Sequence, residues 1–221
     1  MLRDLVGREN VAKFNFFIRP KLTFWRKELP FNGQKYRLKL YEELMQKIAF
    51  DGIVETGAYR GTTTELFAQS NKPVFTVESS KIFFDYASKK LRKYNNIYIY
   101  HGDSVTFLNK IPMGSRRLFF YLDAHWYNNL PLAEELKVIA NRSEEAVVMI
   151  DDFCVPGTDY TYDDYGSGAV LDSSYLDSTQ IPHFRFYPST PPYAETGAKR
   201  GCVVLCFSRS VAVDLGAVRL L

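Results

Sequence analysis

Long apolar runs are the first thing this chain of 221 residues lacks. None approaches the ~18 consecutive apolar residues of a membrane-spanning helix, so no membrane contact is expected. The opening MLRDLVGREN carries acids and no apolar core, so a secretory signal is not expected either. Cysteine is scarce: Cys154, Cys202 and Cys206 are the full set. Three is an odd number, and the spacing fits neither a zinc site nor a disulfide framework. Cys202 and Cys206 sit in an apolar run and read as core thiols, and a reducing cytoplasm fits best. Histidine is equally scarce, with three, so no His/Cys cluster suggests zinc. Strong one-sided charge is missing too. The net charge of +3 is too mild for the concentrated basic face that nucleic-acid binding needs. Repeats and low-complexity segments are absent.

What is present suits one soluble domain with a sizeable core. Hydrophobic residues make up 46% of the chain, and 17 Phe and 15 Tyr supply core and pocket walls. The charge is unevenly placed. Residues 1–30 hold seven Lys/Arg against three acids, leaving the remainder close to neutral. Residues 1–33 therefore read as a basic arm ending in the turn signal Pro30-Phe31-Asn32-Gly33. The arm is either a solvated, loosely docked segment, or a lid or dimer contact that meets an anionic substrate. The domain proper is expected over 34–221.

From Gln34 the pattern turns periodic. Leu38, Tyr41, Leu44, Met45 and Ile48 recur at helical spacing, predicting a helix near 34–48. Short apolar runs then alternate with amphipathic stretches. The runs are 52–56, 74–77, 97–100, 118–122 and 146–150, and the helices between them start near Gly61, Ser80, Ser104 and Pro131. That alternation predicts an α/β domain with a mostly parallel sheet and helices on both faces. Two last strands are expected near 184–187 and 202–207, separated by a Pro/Gly-rich loop over 188–200. Residues 152–180 show no clear periodicity and read as a long loop, a common place for function.

Ligands in such sheets bind beyond the carboxyl ends of the strands. Here those ends carry Glu55, Glu78, Asp103, Asp123 and the pair Asp151-Asp152. Core packing does not explain a carboxylate at every strand end, because buried unpaired acids are costly. The first strand runs into VETGAYRGTTT, where Gly57 and Gly61 bracket a strand-to-helix turn that lets a ligand approach the main chain. The spacing is neither the dinucleotide fingerprint G-x-G-x-x-G nor a P-loop.

E-x-G-x-x-x-G-x-T at a first strand resembles the class I S-adenosylmethionine-dependent methyltransferases, over roughly residues 50–207. The resemblance implies a Rossmann-like fold: seven strands, mostly parallel, with an antiparallel last hairpin. It implies S-adenosylmethionine as cofactor, held at the first turn by Glu55, Thr56, Gly57, Ala58, Tyr59, Gly61, Thr62 and Thr63. Glu55 would face the methionine ammonium. Glu78, with Ser79 beside it, would hold the ribose hydroxyls, since two acceptor oxygens suit a vicinal diol. Asp103, with Ser104, would face the adenine amino group, and Asp123 would close the site.

LDAHW and MIDDF form a second constellation. Asp123, Asp151 and Asp152 end neighbouring strands, and three converging carboxylates repel unless a cation offsets them. A hard divalent cation such as magnesium is the natural solution. This set is similar to the metal-dependent sugar O-methyltransferases of the macrocin and aminocoumarin types, and to cephalosporin-hydroxylase-like proteins. The likeness implies Mg2+ on Asp123, Asp151 and Asp152, binding neighbouring hydroxyls of a small acceptor, a sugar or sugar-bearing metabolite. His125, two residues after Asp123, would be the general base, with Asp123 beside it in the catalytic set. Its alternative is a structural histidine beside Trp126. Dimers or larger assemblies are common in those enzymes, so the likeness leaves a homodimer open, with the basic arm as the place for its contact. Rival readings stay open: a metal-independent methyltransferase acting on another acceptor, a non-catalytic nucleoside-binding protein of the same fold, and a hydroxylase-like or hydrolase activity on the same metal arrangement. The loops stay open as well. Glu195, Lys199 and Arg200 either close over the acceptor or form a solvated hairpin. Tyr160, Tyr162 and Tyr165 either stack on the acceptor or sit in a polar loop.

Overall fold

The computed structural model describes residues 28–113, 116–125, 130–166 and 170–221. Its seven strands are β1 (Gly52–Thr56), β2 (Val74–Glu78), β3 (Ile97–His101), β4 (Leu118–Leu122), β5 (Val147–Asp151), β6 (Phe184–Phe186) and β7 (Cys202–Cys206). They form one sheet in the order β3-β2-β1-β4-β5-β7-β6. The first five run parallel, and β7 is antiparallel to both β5 and β6. Strands β1, β2, β4, β5 and β7 are buried along their whole length. They read as continuous apolar runs because helices cover both faces. The edge strand β3 instead exposes Tyr98 and Tyr100.

Helix α1 (Lys35–Lys47) precedes the sheet. Helices α2 (Thr62–Ala68), α3 (Lys81–Leu91), α4 (Ser104–Lys110) and α5 (Leu132–Arg142) link the parallel strands. Side chains alternate across the sheet into two core layers. Val54, Phe120, Val148 and Leu205 pack with Phe107 of α4 and Leu136 of α5. Ile53, Phe119, Met149 and Val204 pack with Leu40, Tyr41 and Leu44 of α1 and Phe67 of α2. Two further helices were not anticipated from the sequence. One is α6 (Ser173–Ser178), inside the long loop, and the other is α7 (Arg209–Gly216), after β7. In α6, Leu176 is the buried residue, so six residues leave no periodicity to read. In α7, Ser208 caps the first turn and Val211 and Leu215 face the core, a short signal of ordinary kind.

Cys202 and Cys206 are buried core thiols, and burial pushes both up to about 11. The described end of the basic arm docks on the domain: Phe31 is buried in the layer with Tyr41, Phe67 and Tyr121. Residues 1–27, which carry the arm's basic side chains, lie outside the described residues, as does Trp126. No described helix is long and apolar enough to cross a membrane.

Candidate active site at the carboxyl edge of the sheet

Strand order reverses between β1 and β4, the switch point beyond which open α/β sheets bind their ligands. The turn after β1 sits at that point. The N–H groups of Gly57 and Ala58 both donate to the carbonyl of Val77, each at 3.0 Å, pinning the turn to β2. Gly57 has φ +91°, and a Cβ there would lie 2.4 Å from the Asp123 carbonyl oxygen. Glycine is therefore required both by conformation and by the close approach of β1 to β4. Tyr59 adopts a left-handed φ of 47°, and Gly61 caps α2 in the left-handed region.

Glu78 holds this turn in place. Its Oε2 accepts the Tyr59 N–H and its Oε1 accepts the Ser80 N–H, both at 2.7 Å. Burial raises its pKa against the pull of those N–H groups. Each carboxylate oxygen offers two acceptor positions, so both oxygens keep capacity for a ligand hydroxyl. Glu55 lies deeper. Its Oε2 accepts the hydroxyls of Thr64 at 2.5 Å and Thr76 at 2.7 Å, and burial pushes it up to about 7. Asp103 is exposed and caps α4, its Oδ1 accepting the Thr106 N–H at 2.7 Å, which lowers its pKa. Ser79 is exposed and Ser104 buried, beside these two acids. Thr62 donates its hydroxyl to Glu28, and Thr63 accepts the Phe31 N–H. Both threonines therefore face the segment before α1. Glu28 also pairs with Arg60.

Asp123, His125 and Asp152 converge. One ligand atom from each lies within 4.8 Å of the others. His125 Nε2 is 4.0 Å from Asp123 Oδ1, and its side chain is 1% exposed. Both ring nitrogens are buried without a hydrogen-bond partner. The Asp151 backbone stands close to the ring but does not meet hydrogen-bond geometry. Burial lowers the His125 pKa, so the imidazole is neutral at pH 7. Asp123 keeps 29% of its side chain in solvent and has no hydrogen bond or Lys/Arg partner among the described residues. Burial and then the neighbouring Asp151, Asp152 and Glu55 hold it well above the ordinary aspartate range. Asp152 sits at φ +57°, a left-handed conformation Asp tolerates at modest cost. Burial and Asp151 push it up to about 7.

Asp151 is placed differently. Its Oδ1 is paired with Arg37 and accepts the Asp152 N–H at 2.9 Å, while its Oδ2 accepts the Tyr121 hydroxyl at 2.6 Å. Burial alone would raise this carboxyl, but Arg37 and Tyr121 reverse that and hold it low. So of the three aspartates read as cation ligands, the fold brings Asp123 and Asp152 together with His125. Asp151 anchors Arg37.

Three residues organise this network: Arg37, which sequence reasoning missed, and Arg200 and Glu195, which it left open between a loop over the acceptor and a solvated hairpin. Arg37 lies on the buried stripe of α1, three residues before Leu40 and seven before Leu44. That periodicity was the signal for it. Arg200 donates through Nε to Asp152 at 2.6 Å and through Nη2 to Asp163, and its carbonyl accepts from Arg37 at 2.6 Å. Glu195 is buried, accepting the N–H groups of Tyr36 at 3.0 Å and Arg37 at 3.1 Å. It caps α1 from across the chain, where no local residue does. The long loop folds back over the cluster. The Asp163 N–H donates to the Asp152 carbonyl, and Tyr165 donates to Asp163 and meets the His125 ring edge-on at 6.3 Å. Tyr160 is buried and donates to the Thr190 carbonyl, whereas Tyr162 is exposed.

No family model matches the chain, and no curated protein does. Solved structures do. The O-methyltransferase TomG from Streptomyces achromogenes, involved in tomaymycin synthesis and solved with SAM, is 17% identical. Its match covers 78% of this chain and 80% of its own, at a TM-score of 0.57. An O-methyltransferase from Bacillus cereus in complex with SAH is 17% identical over 94% of this chain and 95% of its own, at 0.53. The N-terminal domain of EvdMO1, solved with SAH and D-fucose, is 14% identical over 92% and 97%, at 0.52. These likenesses establish the fold: it is the class I S-adenosylmethionine-dependent methyltransferase fold.

Proposed function

We propose that this chain is an S-adenosylmethionine-dependent methyltransferase acting on a hydroxyl of a small acceptor, a sugar or sugar-bearing metabolite, with a divalent cation assisting. One observation carries the reading. The Gly57 turn presses against the backbone of Asp123, so the cofactor turn and the Asp123–His125–Asp152 cluster share one wall at the switch point. The residues fit the cofactor. Glu78 keeps acceptor capacity for a diol, and Asp103 spends one oxygen on its helix cap, leaving the other for an amino group. Glu55 supports the turn from beneath through Thr64 and Thr76. Thr62 and Thr63 are left out of the cofactor site because their hydroxyls face Glu28 and Phe31.

S-adenosylmethionine supplies an electrophilic sulfonium methyl group. The cluster's part is to hold the acceptor hydroxyl and take up its proton. A site with two carboxylates and a partnerless neutral imidazole also fits a cation. The sugar present with EvdMO1 supports a sugar acceptor.

Calorimetric titration of the full chain with S-adenosylmethionine and with its demethylated product tests this. Binding is expected, weakened about tenfold or more by Glu78→Ala, which removes charge-assisted hydrogen bonds. A folded chain that binds neither compound ends the proposal. Binding without turnover on any sugar hydroxyl would favour a nucleoside-binding protein instead.

A further inference from the structure

We infer that His125 is a cation ligand rather than the general base, completing a mixed nitrogen–oxygen site with Asp123 and Asp152 that selects first-row transition ions, for which manganese(II) serves as the spectroscopic probe, over magnesium. The inference deepens the methyltransferase reading by naming what assists it, and rests on that reading for its purpose but not for its ligands.

The charge ledger of the site points here. Asp151 is matched by Arg37, and Asp163 and Asp152 share Arg200. Asp123 has no Lys or Arg within ion-pair distance among the described residues, and Arg37 offsets its charge only from beyond that distance. Arg200 occupies Oδ1 of Asp152, leaving Oδ2 uncommitted. The second observation is independent of the acids. The His125 side chain is 1% exposed, yet both its nitrogens lack a partner. Buried polar atoms without partners are rare and costly, so a lone pair held beside two carboxylates calls for a ligand.

The spacing suits an ion. Ligand atoms ~2.1 Å from a shared centre stand at most ~4.2 Å apart. The observed limit of 4.8 Å closes with roughly half an ångström of side-chain movement. Oxygen-only sites suit magnesium, whereas an imidazole ligand favours first-row transition ions.

The test is titration of the full chain with manganese(II), read by loss of the free-ion EPR signal, then competition with magnesium. Pulsed EPR of the bound ion follows. One bound ion is expected, resisting about 100-fold excess magnesium and showing coupling to a histidine nitrogen. His125→Asn should erase that coupling and weaken manganese about tenfold or more, while leaving magnesium affinity nearly unchanged. Pulsed EPR on the unaltered chain needs no variant, so misfolding of His125→Asn would not shield the inference. No bound manganese, equal displacement by equimolar magnesium, or a bound ion without nitrogen coupling would each overturn it. Histidine-bound manganese in a chain that ignores S-adenosylmethionine would sink the methyltransferase reading and leave this assignment standing. Cofactor binding with an ion lacking nitrogen coupling would do the reverse.

Discussion

Replacing Glu135 by glutamine should stabilise the protein at pH 8 and change little at pH 4. Glu135 lies in the first turn of α5 and is 0% exposed. The hydroxyls of Ser104 and Thr56 stand near and temper its burial, but neither closes a hydrogen bond, so both carboxyl oxygens are without partner. Burial pushes the carboxyl from 4.5 up to about 7. The sign follows from linkage. The folded state holds its proton more tightly than the unfolded chain, so stability is highest below pH 4.5 and falls as pH rises to about 7. At ~1.4 kcal/mol per pH unit, the loss above that range is about 3 kcal/mol. Glutamine keeps the shape and never ionises, so the variant should escape the loss. Urea unfolding of both proteins at pH 4 and pH 8 reads the difference directly, and other titrating groups cancel in the comparison. An equal stability difference at both pH values would refute the reasoning.

Three further outcomes are expected. Gly57→Ala should cost at least about 1 kcal/mol in urea unfolding and abolish S-adenosylmethionine binding by calorimetry, because its Cβ meets the Asp123 carbonyl and its φ is positive. Arg37→Met should cost about 3–5 kcal/mol at neutral pH by leaving Asp151 charged and alone. Adding Asp151→Asn should recover part of that in the same denaturation assay. Glu195→Ala should cost about 1 kcal/mol and increase amide hydrogen exchange at the start of α1, whose first N–H groups it holds.

The sheet was legible because its strands announce themselves locally. Five apolar runs, each closed by an acid, need no distant partner to be recognised, and β1 and β4 match their expected bounds. The turn glycines were equally readable, since a left-handed turn is a local demand. The roles of the acids were not. Adjacent in sequence, Asp151 and Asp152 look alike, yet one faces Arg37 and the other faces His125 and Arg200. That division depends on contacts more than 100 residues away, namely Arg37 to Asp151 across 114 positions and Gln34 to Arg200 across 166. Asp103 shows the converse: its cap on Thr106 is a three-residue relation that any reading of strand ends could supply. Arg200 stayed open between closing over an acceptor and a solvated hairpin, because nothing nearby in sequence hints that it reaches back to Asp152.

The reach of Glu195 and Arg200 across the chain bears on synthesis as well as structure. A chain emerging from the ribosome presents α1 and the segments of six strands before the residues that cap that helix and pair Asp152 have been made. Until residue 200 is out, the first N–H groups of α1 lack their carboxylate and Asp152 lacks its guanidinium. The corner that holds Asp152 and the start of α1 is thus finished late, by closure of a loop of more than 150 residues, a slow kind of contact to form. A truncation that removes β7 and the preceding loop would forfeit more than an edge of the sheet, because it would also unfasten the helix at the opposite end of the sequence.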